Sequence, residues 1–201
     1  WKDPHPSVVS LVDRLREREF PRTLDLGCGA GRHMAYLSKL GFPVFGIDPA
    51  LNGLLHSARW LRSEGFPCRL GKADMTAIPA RTDAFDCVIS IYVLHHNTIG
   101  KIRRAVKDIE RVLKPGGLLL TLIQSKDDWK FGRGKMVEKD TYIPDIGDEK
   151  GVLHHFFDKD EIMDLLKGFS ILKMKLEKID SEVPEGDIHH RHWDILAEKS
   201  G

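Results

Sequence analysis

Apolar residues follow two spacings along the first part of the chain, and each spacing predicts one kind of element. They recur at helical spacing in residues 8–19, and a short apolar strand follows at 23–28. Further helices are predicted at 31–40, 49–65 and 99–117, and further strands at 43–48, 66–74, 85–94 and 118–124. Apolar strands joined by helices are typical of a parallel sheet covered on both faces, so the fold class is predicted to be α/β.

This alternation stops after Gln124. Residues 125–153 are polar and have no clear period, and with the residues up to 157 they predict an inserted lid or substrate-recognition segment. A helix is predicted at 158–168 with Asp158 as its N-cap. Two stretches of alternating polarity, 169–179 and 190–199, flank a polar turn at 180–187 and predict an antiparallel hairpin. We expect residues 1–201 to form a single domain.

Composition narrows the class of partner. The chain has 31 basic and 30 acidic residues and a net charge of +1, so no overall field attracts a nucleic acid or an anionic membrane. Cys28, Cys68 and Cys87 are far apart, which fits a reducing compartment better than a disulfide framework, and Cys28 and Cys87 are predicted to be buried fillers. No apolar stretch approaches the ~20 residues of a membrane helix, so we expect a cytoplasmic protein. Trp1 in place of Met leads us to expect further residues upstream.

A glycine-rich turn, "LDLGCGAGRH" at residues 24–33, is the main candidate ligand site. Its glycines have the spacing G-x-G-x-G, and Arg32 stands where the dinucleotide fingerprint needs its third glycine. No Gly-Lys-Ser/Thr follows, which excludes a Walker A loop. Asp25, two residues before the first glycine, would repel a pyrophosphate but attract an ammonium. The turn therefore predicts a partly cationic ligand.

S-adenosylmethionine is such a ligand, and residues 23–124 resemble the class I S-adenosylmethionine-dependent methyltransferases. The glycine turn is similar to the family's first motif, "GIDPA" to the end of its second strand and "GKADMTAIP" to the motif after that. "FDCVISIYVLHH" is similar to its fourth strand and "LKPGGLLL" to the turn into its fifth. The resemblance implies a Rossmann-like, doubly wound sheet of seven strands in the order 3-2-1-4-5-7-6, mostly parallel, with an antiparallel seventh strand that agrees with the predicted hairpin.

The resemblance also implies a set of cofactor-binding residues, with S-adenosylhomocysteine as the product. The backbone of residues 27–29 and of residues 90–91 would face the methionine portion, and Asp25 would serve its ammonium directly or through water. Asp48 would accept hydrogen bonds from both ribose hydroxyls, Asp74 would take the adenine amino group, and Met75 would pack on the ring. The full set is Asp25, Gly27, Cys28, Gly29, Arg32, Asp48, Pro49, Asp74, Met75, Ser90 and Ile91.

Plainer alternatives exist for three of these residues. Asp48 could cap the helix that follows it, and Asp74 could cap a local turn. Arg32 could reach the carboxylate of the cofactor or point into solvent from the first turn of its helix. These alternatives remain open from the sequence.

Histidines and aromatic residues gather where an acceptor would bind. His95 and His96 are the catalytic candidates, because an imidazole could remove a proton from the acceptor, although a good leaving group makes a base optional. The strand before them lacks the Asn/Asp-Pro-Pro-Tyr/Phe signature, which disfavours methylation of DNA adenine. His189, His190 and His192 are expected near Gln124. The predicted substrate-binding residues are Tyr92, Trp129, His154 and His155.

The histidine-rich rim has two interpretations. It could bind a metal or an anionic acceptor, or it could be a polar rim of ordinary strand and loop residues. Because the sequence fixes no ligand geometry, we expect no metal. The basic run "WKFGRGK" at 129–135 could hold an anionic substrate or be a solvated loop.

The sequence thus predicts methyl transfer from S-adenosylmethionine to an oxygen, nitrogen or carbon atom of a small molecule. An RNA or protein methyltransferase is the alternative within the same chemistry. A catalytically silent module that only binds the cofactor is the alternative outside it. The missing third glycine disfavours a nicotinamide-dependent dehydrogenase. The oligomeric state and the identity of the acceptor stay open.

Overall fold

The structure is a computed structural model that describes residues 2–19, 21–145, 149–183 and 186–201. Within these ranges, fifteen elements follow one another. The helices are α1 (Pro6–Arg16), α2 (Arg32–Lys39), α3 (Leu51–Ser63), α4 (Ile99–Val112) and α5 (Lys159–Leu165). The strands are β1 (Thr23–Leu26), β2 (Val44–Asp48), β3 (Leu70–Lys72), β4 (Phe85–Ile91), β5 (Leu113–Gln124), β6 (Lys135–Glu138), β7 (Thr141–Ile143), β8 (His154–His155), β9 (Phe169–Val183) and β10 (Gly186–Lys199).

Seven strands form the central sheet in the order β3-β2-β1-β4-β5-β10-β9. The first five pair in parallel, with Asp25 of β1 opposite Gly46 and Ile89. Strand β10 pairs antiparallel with both β5 and β9, which confirms the predicted order and the terminal hairpin. The hairpin pairing extends to Val183 and Gly186, further than predicted, and the turn positions 184–185 lie outside the described residues.

Apolar side chains cover both faces of this sheet. On one face, Ile102 and Ile109 of α4 pack with Val88 of β4. On the other face, residues of α1, α2 and α3 pack with Cys87 and Ile89, because successive strand residues point to opposite faces. Each fully buried aliphatic side chain contributes about 1.5–3 kcal/mol. No helix within the described ranges is both long and apolar enough to cross a membrane.

Two predicted helix boundaries differ from the structure. Helix α3 begins at Leu51, so Pro49 lies before the helix rather than in its first turn. Helix α4 ends at Val112, and the residues before and after Pro115 continue directly into β5. The residue preceding a proline disfavours the α conformation, and this accounts for the early end of α4. Asp158 caps α5 as predicted, since its Oδ1 accepts a hydrogen bond from Glu161 N at 2.9 Å.

The segment between β5 and α5 contains a small second sheet, which the sequence did not predict. Its strands pair antiparallel in the order β6-β7-β8. Backbone hydrogen bonds attach the end of the segment to the rest of the fold: His155 N donates to His95 O in the loop after β4 at 2.8 Å, and Phe157 N donates to Gln124 O at the end of β5 at 2.9 Å. Phe157 is fully buried in the core of the main sheet. The end of the segment is therefore fixed beside the loop that follows β4.

Candidate functional site

A cleft of about 710 Å³ opens where β1, β2 and β4 end. The carboxyl edge of a parallel sheet is where open α/β folds bind ligands. Nine residues of the predicted cofactor set line this cleft: Gly27, Cys28, Gly29, Arg32, Asp48, Pro49, Asp74, Met75 and Ile91. The structure thus brings together residues that lie far apart in the sequence.

The glycine turn is closely packed between two neighbouring segments. Gly27 has φ +72°, and a Cβ at this position would lie 2.7 Å from Val93 Cγ1. Gly53 of α3 approaches the turn so closely that its Cβ would lie 3.2 Å from the carbonyl of Gly29. Only residues without a side chain allow these backbones to approach one another. The turn therefore presents backbone rather than side chains to the cleft.

Asp48 links the glycine turn to the end of β2. Its Oδ2 accepts a hydrogen bond from Gly29 N at 2.8 Å, and its Oδ1 accepts one from Ala50 N at 2.7 Å. The bond to Ala50 is a local turn contact and not the helix cap of the plainer alternative, because α3 begins at Leu51 and its N-cap, Ala50, makes no side-chain capping bond. A carboxylate offers about four lone-pair sites, so two backbone bonds leave acceptors for a ligand hydroxyl. The turn contact and ligand binding are therefore compatible.

Asp25 lies behind the wall of the cleft rather than on it. Only 1% of its surface is exposed, and its Oδ1 is 3.8 Å from Nδ1 of His33. His33 Nε2 accepts a hydrogen bond from His5 N, so a neutral His33 ring carries its hydrogen on the nitrogen that faces Asp25. Asp25 Oδ2 has no partner among the described residues. A ligand ammonium would reach this carboxylate through a bridging group such as water.

The adenine-side residues form a short structured loop after β3. Asp74 Oδ1 accepts hydrogen bonds from Thr76 N at 2.8 Å and from Thr76 Oγ1 at 2.6 Å. These bonds from Thr76 lower the pKa of Asp74, so the carboxylate is ionised at neutral pH. Met75 is 7% exposed and presents an apolar surface in the cleft. Ser90 is fully buried and does not line the cleft, although Ile91 beside it does.

The opposite end of the cleft is rich in histidine. His95 and His96 follow β4, and their ring centroids are 4.2 Å apart. His192 of β10 pairs directly with Gln124 of β5, which confirms the expected position of His192. Burial is the main cause that lowers the pKa of His95 well below its usual value, and the neighbouring histidines are the second cause. Burial, followed by the effect of His154, lowers the pKa of His96 to about 4. Burial likewise lowers the pKa of His192 to about 4. These imidazoles are neutral at pH 7.

Tyr92 connects this end of the cleft to α1 and β9. It has φ +60°, a conformation that is uncommon for an aromatic residue. Its Oη lies 3.2 Å from His5 Nε2 and donates to Glu177 Oε2 at 3.3 Å. Burial, and next the carboxylate of Glu177, raise the pKa of the Tyr92 phenol. Tyr92 is among the residues that line the cleft, and its role in substrate binding stays a prediction.

The structure does not place the other three predicted substrate-binding residues on the cleft wall. Trp129 Nε1 donates to His190 Nδ1 at 3.3 Å and so lies behind a histidine that lines the cleft. His154 is fully buried, with Nε2 2.9 Å from Glu149 Oε2. His155 faces away, with Nδ1 2.6 Å from Thr141 Oγ1. The contact of His155 with Thr141 supports a structural role inside the inserted segment.

Lys130 and Glu149 line the acceptor end of the cleft, although neither belongs to the predicted set of substrate-binding residues. Lys130 Nζ lies 2.6 Å from Glu149 Oε2, and the lysine is 5% exposed. The hydrogen bond with His154, and next the contacts with Lys130, lower the pKa of Glu149. Both residues belong to the inserted segment and reach the cleft only because that segment folds back over it. Lys130 lies within the basic run noted in the sequence, whereas no sequence signal indicated Glu149.

Comparisons with known proteins agree with this geometry. A methyltransferase-domain family model matches residues 24–121. The Encephalitozoon cuniculi protein ECU09_1500, named as a candidate methyltransferase, is 31% identical over 157 residues, which are 74% of this chain and 70% of that protein. The uncharacterized methyltransferase YodH of Bacillus subtilis is 33% identical over 120 residues, 58% of this chain. The matched part is 50% of YodH, so the chain spans about half of that relative.

Solved structures share the architecture over nearly the whole chain. A crystal structure of an S-adenosylmethionine-dependent methyltransferase from Methanosarcina mazei superposes with a TM-score of 0.80 at 22% identity, covering 98% of this chain and 99% of that one. A Burkholderia thailandensis 1,6-didemethyltoxoflavin-N1-methyltransferase, solved with its substrate and S-adenosylhomocysteine, superposes with a TM-score of 0.69 at 19% identity, covering 98% and 78%. At these identities the likeness shows the fold.

Proposed function

Because the chain belongs to the class I S-adenosylmethionine-dependent methyltransferases, we propose that it transfers a methyl group from S-adenosylmethionine to an oxygen, nitrogen or carbon atom of a small-molecule acceptor. The observation that carries the acceptor class is the size of the cleft, about 710 Å³. Pockets for small molecules measure about 300–1,000 Å³, so this cleft has room for the cofactor and a compact acceptor.

The residues at one end of the cleft fit S-adenosylmethionine. A Cβ at Gly27 would collide with Val93, so the turn needs glycine there, and its bare backbone suits the close approach of the methionine portion. The carboxylate of Asp48 has lone pairs left for the ribose hydroxyls, and the ionised Asp74 is an acceptor for an amino group. The unpartnered Oδ2 of Asp25 matches a nearby positive charge. The cofactor supplies a methyl group on a sulfonium, whose departure as a neutral thioether needs no protonation.

The residues at the other end can orient the acceptor and remove its proton. His95 and His96 are neutral and hold lone pairs that accept a proton from a hydroxyl, thiol or ammonium group. Burial makes both rings weak bases, so the acceptor group should be acidic or already deprotonated. Tyr92, Gln124 and Lys130 add polar groups that can fix its orientation. Positioning in line with the cofactor is the main contribution of the protein.

The inserted segment, residues 125–157, completes this proposal as the substrate-recognition part of a single domain. Lys130 and Glu149 place an ammonium and a carboxylate at the acceptor end, where they can distinguish acceptors by charge. We propose a cytoplasmic location, because Cys28, Cys68 and Cys87 are unpaired thiols and unpaired thiols fit a reducing compartment.

Methylation of RNA is the main rival, because some relatives are named as tRNA methyltransferases. One from Macaca fascicularis is 28% identical over 141 residues, which are 70% of this chain and 19% of that protein. Binding of an RNA backbone requires a basic surface, whereas this chain has 31 basic and 30 acidic residues. The charge balance favours the small molecule.

Transfer of a labelled methyl group tests the proposal. The protein is incubated with methyl-labelled S-adenosylmethionine and with three separate pools: small thiols, phenols, amines and carboxylic acids; bulk tRNA; and bulk protein. We expect label only in the small-molecule pool and much less of it with Asp48→Ala at the same subsaturating cofactor concentration. Label in tRNA that declines steeply as salt rises would overturn the acceptor class. Tight cofactor binding without label in any pool would identify the silent module instead.

A further inference from the structure

Three histidines converge at the acceptor end of the cleft. One ring nitrogen each of His95, His96 and His154 lies within 4.8 Å of the other two. His95 and His154 are buried, and the rings of His96 and His154 meet edge to face with centroids 4.6 Å apart. Two of these residues follow β4 and the third lies on β8 of the inserted segment. Their convergence is therefore a product of the tertiary fold.

Two of the rings are held in one orientation by backbone carbonyl groups. His154 Nδ1 lies 2.8 Å from Val152 O, and His96 Nδ1 lies 3.4 Å from Leu153 O. A carbonyl oxygen only accepts hydrogen bonds, so each Nδ1 carries a hydrogen. In a neutral ring the lone pair is then on Nε2. A histidine whose Nδ1–H is fixed by a backbone carbonyl is the usual arrangement for a metal ligand that binds through Nε2.

Both Nε2 atoms face the same carboxylate. His154 Nε2 lies 2.9 Å from Glu149 Oε2, and His96 Nε2 lies 3.7 Å from Glu149 Oε1. With its Nδ1–H directed at Val152 O, a protonated His154 ring donates its Nε2 hydrogen to Glu149, whereas in a neutral ring both atoms are acceptors and the contact needs a cation between them. His95 adds a buried Nδ1 that has no partner among the described residues. With neutral rings the cluster therefore has more acceptor atoms than the surrounding donors satisfy.

We propose that His95, His96 and His154 form a binding site for a divalent cation of the zinc class, with Glu149 as an oxygen ligand. Imidazole nitrogens with a carboxylate suit Zn²⁺ and its neighbours Co²⁺ and Ni²⁺, which take such ligands in tetrahedral or five-coordinate sites. Three nitrogens and one oxygen make four protein ligands, so a five-coordinate ion keeps one position for an exogenous ligand. Binding of the ion does not depend on the proposed acceptor class.

Lys130 places a positive charge next to the proposed cation site. Its ammonium lies 2.6 Å from Glu149 Oε2, and it already neutralises that carboxylate. Glu149 Oε1 is the oxygen nearer His96, so the two cations can use different oxygens of one carboxylate. Repulsion between them lowers the affinity for metal, and we expect a dissociation constant in the micromolar range rather than the much tighter binding of structural zinc.

The position of the cluster suggests its use. His95, His96 and Glu149 line the acceptor end of the cleft, opposite the cofactor residues. A cation there would bind an anionic oxygen or sulfur of the acceptor and hold it in its deprotonated, nucleophilic form. This use rests on the proposed methyl transfer, whereas the site itself can be tested without any cofactor.

Cobalt binding to the untagged, chelator-treated protein tests the site. Co²⁺ is added while visible absorption is recorded, and Zn²⁺ is then titrated by calorimetry. We expect one equivalent of Co²⁺ to produce intense visible bands that Zn²⁺ removes. His154→Ala and His96→Ala should each weaken Zn²⁺ binding at least tenfold. His189→Ala is the matched control, because His189 is exposed and pairs with Asp180 outside the cluster.

Three results would overturn the site. One is the absence of bands and of binding heat up to millimolar metal. Another is unchanged affinity in both cluster variants, and the third is equal loss in His189→Ala. Circular dichroism and S-adenosylhomocysteine binding show whether each variant is folded. If His154→Ala does not fold, Glu149→Gln replaces it in the test, because the carboxylate of Glu149 is partly exposed. Failure of methyl transfer with intact metal binding would disprove only the proposed function.

Discussion

The carboxylate of Asp48 accepts a hydrogen bond from the backbone N–H of Gly29 at 2.8 Å. This contact joins the end of β2 to the glycine turn after β1. It fixes the separation of the two backbone segments between which we propose that S-adenosylmethionine binds. In the proposed site, a single carboxylate would serve both the shape of the cleft and the recognition of the ribose.

Removal of this carboxylate should weaken cofactor binding. We expect Asp48→Ala to lower the affinity for S-adenosylhomocysteine by about 1–3 kcal/mol, because donors in the ribose and in Gly29 lose a partner. Calorimetric titration measures the change. Asp83→Asn is the control, since Asp83 pairs with Lys199 at 3.1 Å away from the cleft. Equal affinity in wild type and Asp48→Ala would contradict the ribose assignment.

Asp74 should recognise the amino group of adenine. We expect Asp74→Ala to lower the affinity for S-adenosylhomocysteine about tenfold or more and to leave binding of S-inosylhomocysteine, which lacks that amino group, nearly unchanged. Thr76→Val keeps the carboxylate but removes the hydroxyl that lies 2.6 Å from it. If Thr76→Val had the same effect as Asp74→Ala, loop order rather than the adenine contact would be responsible.

Substitution of Gly27 by alanine should cost more stability than the same substitution at Gly41, a glycine of similar conformation. Gly27 and Gly41 have φ of +72° and +87°, so alanine strains the backbone at both by about 1–2 kcal/mol. Only at Gly27 would the new Cβ also collide with Val93. Urea unfolding should show a larger loss of stability for Gly27→Ala than for Gly41→Ala, and only Gly27→Ala should impair cofactor binding. Similar losses in both would mean that the collision relaxes without cost.

Glu177 should contribute to stability in a pH-dependent way. The hydrogen bond with His5, and next the charges of His5 and His192 and the phenol of Tyr92, lower its pKa below the ordinary 4.5. The ionised carboxylate therefore stabilises the fold at and above pH 4.5, and the contribution is lost as the pH falls through the lower, folded-state pKa. The difference in unfolding free energy between wild type and Glu177→Gln should shrink as the pH falls below 4.5. Glu64→Gln controls for the loss of one surface carboxylate, and a constant difference for Glu177→Gln would refute the linkage.

Hydrophobic periodicity was sufficient for the α/β class, because amphipathic helices alternate along the chain with apolar strands such as β4 and β5. It could not order them, since any two apolar strands can pair, and the order came from the resemblance of the motifs to a known family. The small sheet was missed because its first strand, β6, does not follow the rule that apolar side chains of a strand are buried. Met136 and Val137 of β6 are 61% and 47% exposed, so polarity there does not indicate burial.

The cofactor half of the site could be predicted because local motifs carry it. The acceptor half depends on how the inserted segment folds back, which no local pattern encodes. His154 and His155 illustrate this limit, since they are adjacent in the sequence and both are buried. His154 joins the cluster at the cleft, whereas His155 binds Thr141 within the segment. Only the tertiary path distinguishes the two side chains.

The division of the site between two stretches of chain has an evolutionary consequence. The proposed cofactor residues lie in the first 91 positions, whereas Lys130 and Glu149 belong to the segment attached through the backbone bonds of His155 and Phe157. Mutations that remodel the part of the segment before these attachment points can change the preferred acceptor while the affinity for the cofactor stays the same. Descendants of one ancestral gene could therefore diversify in substrate without rebuilding the part of the enzyme that holds the methyl donor.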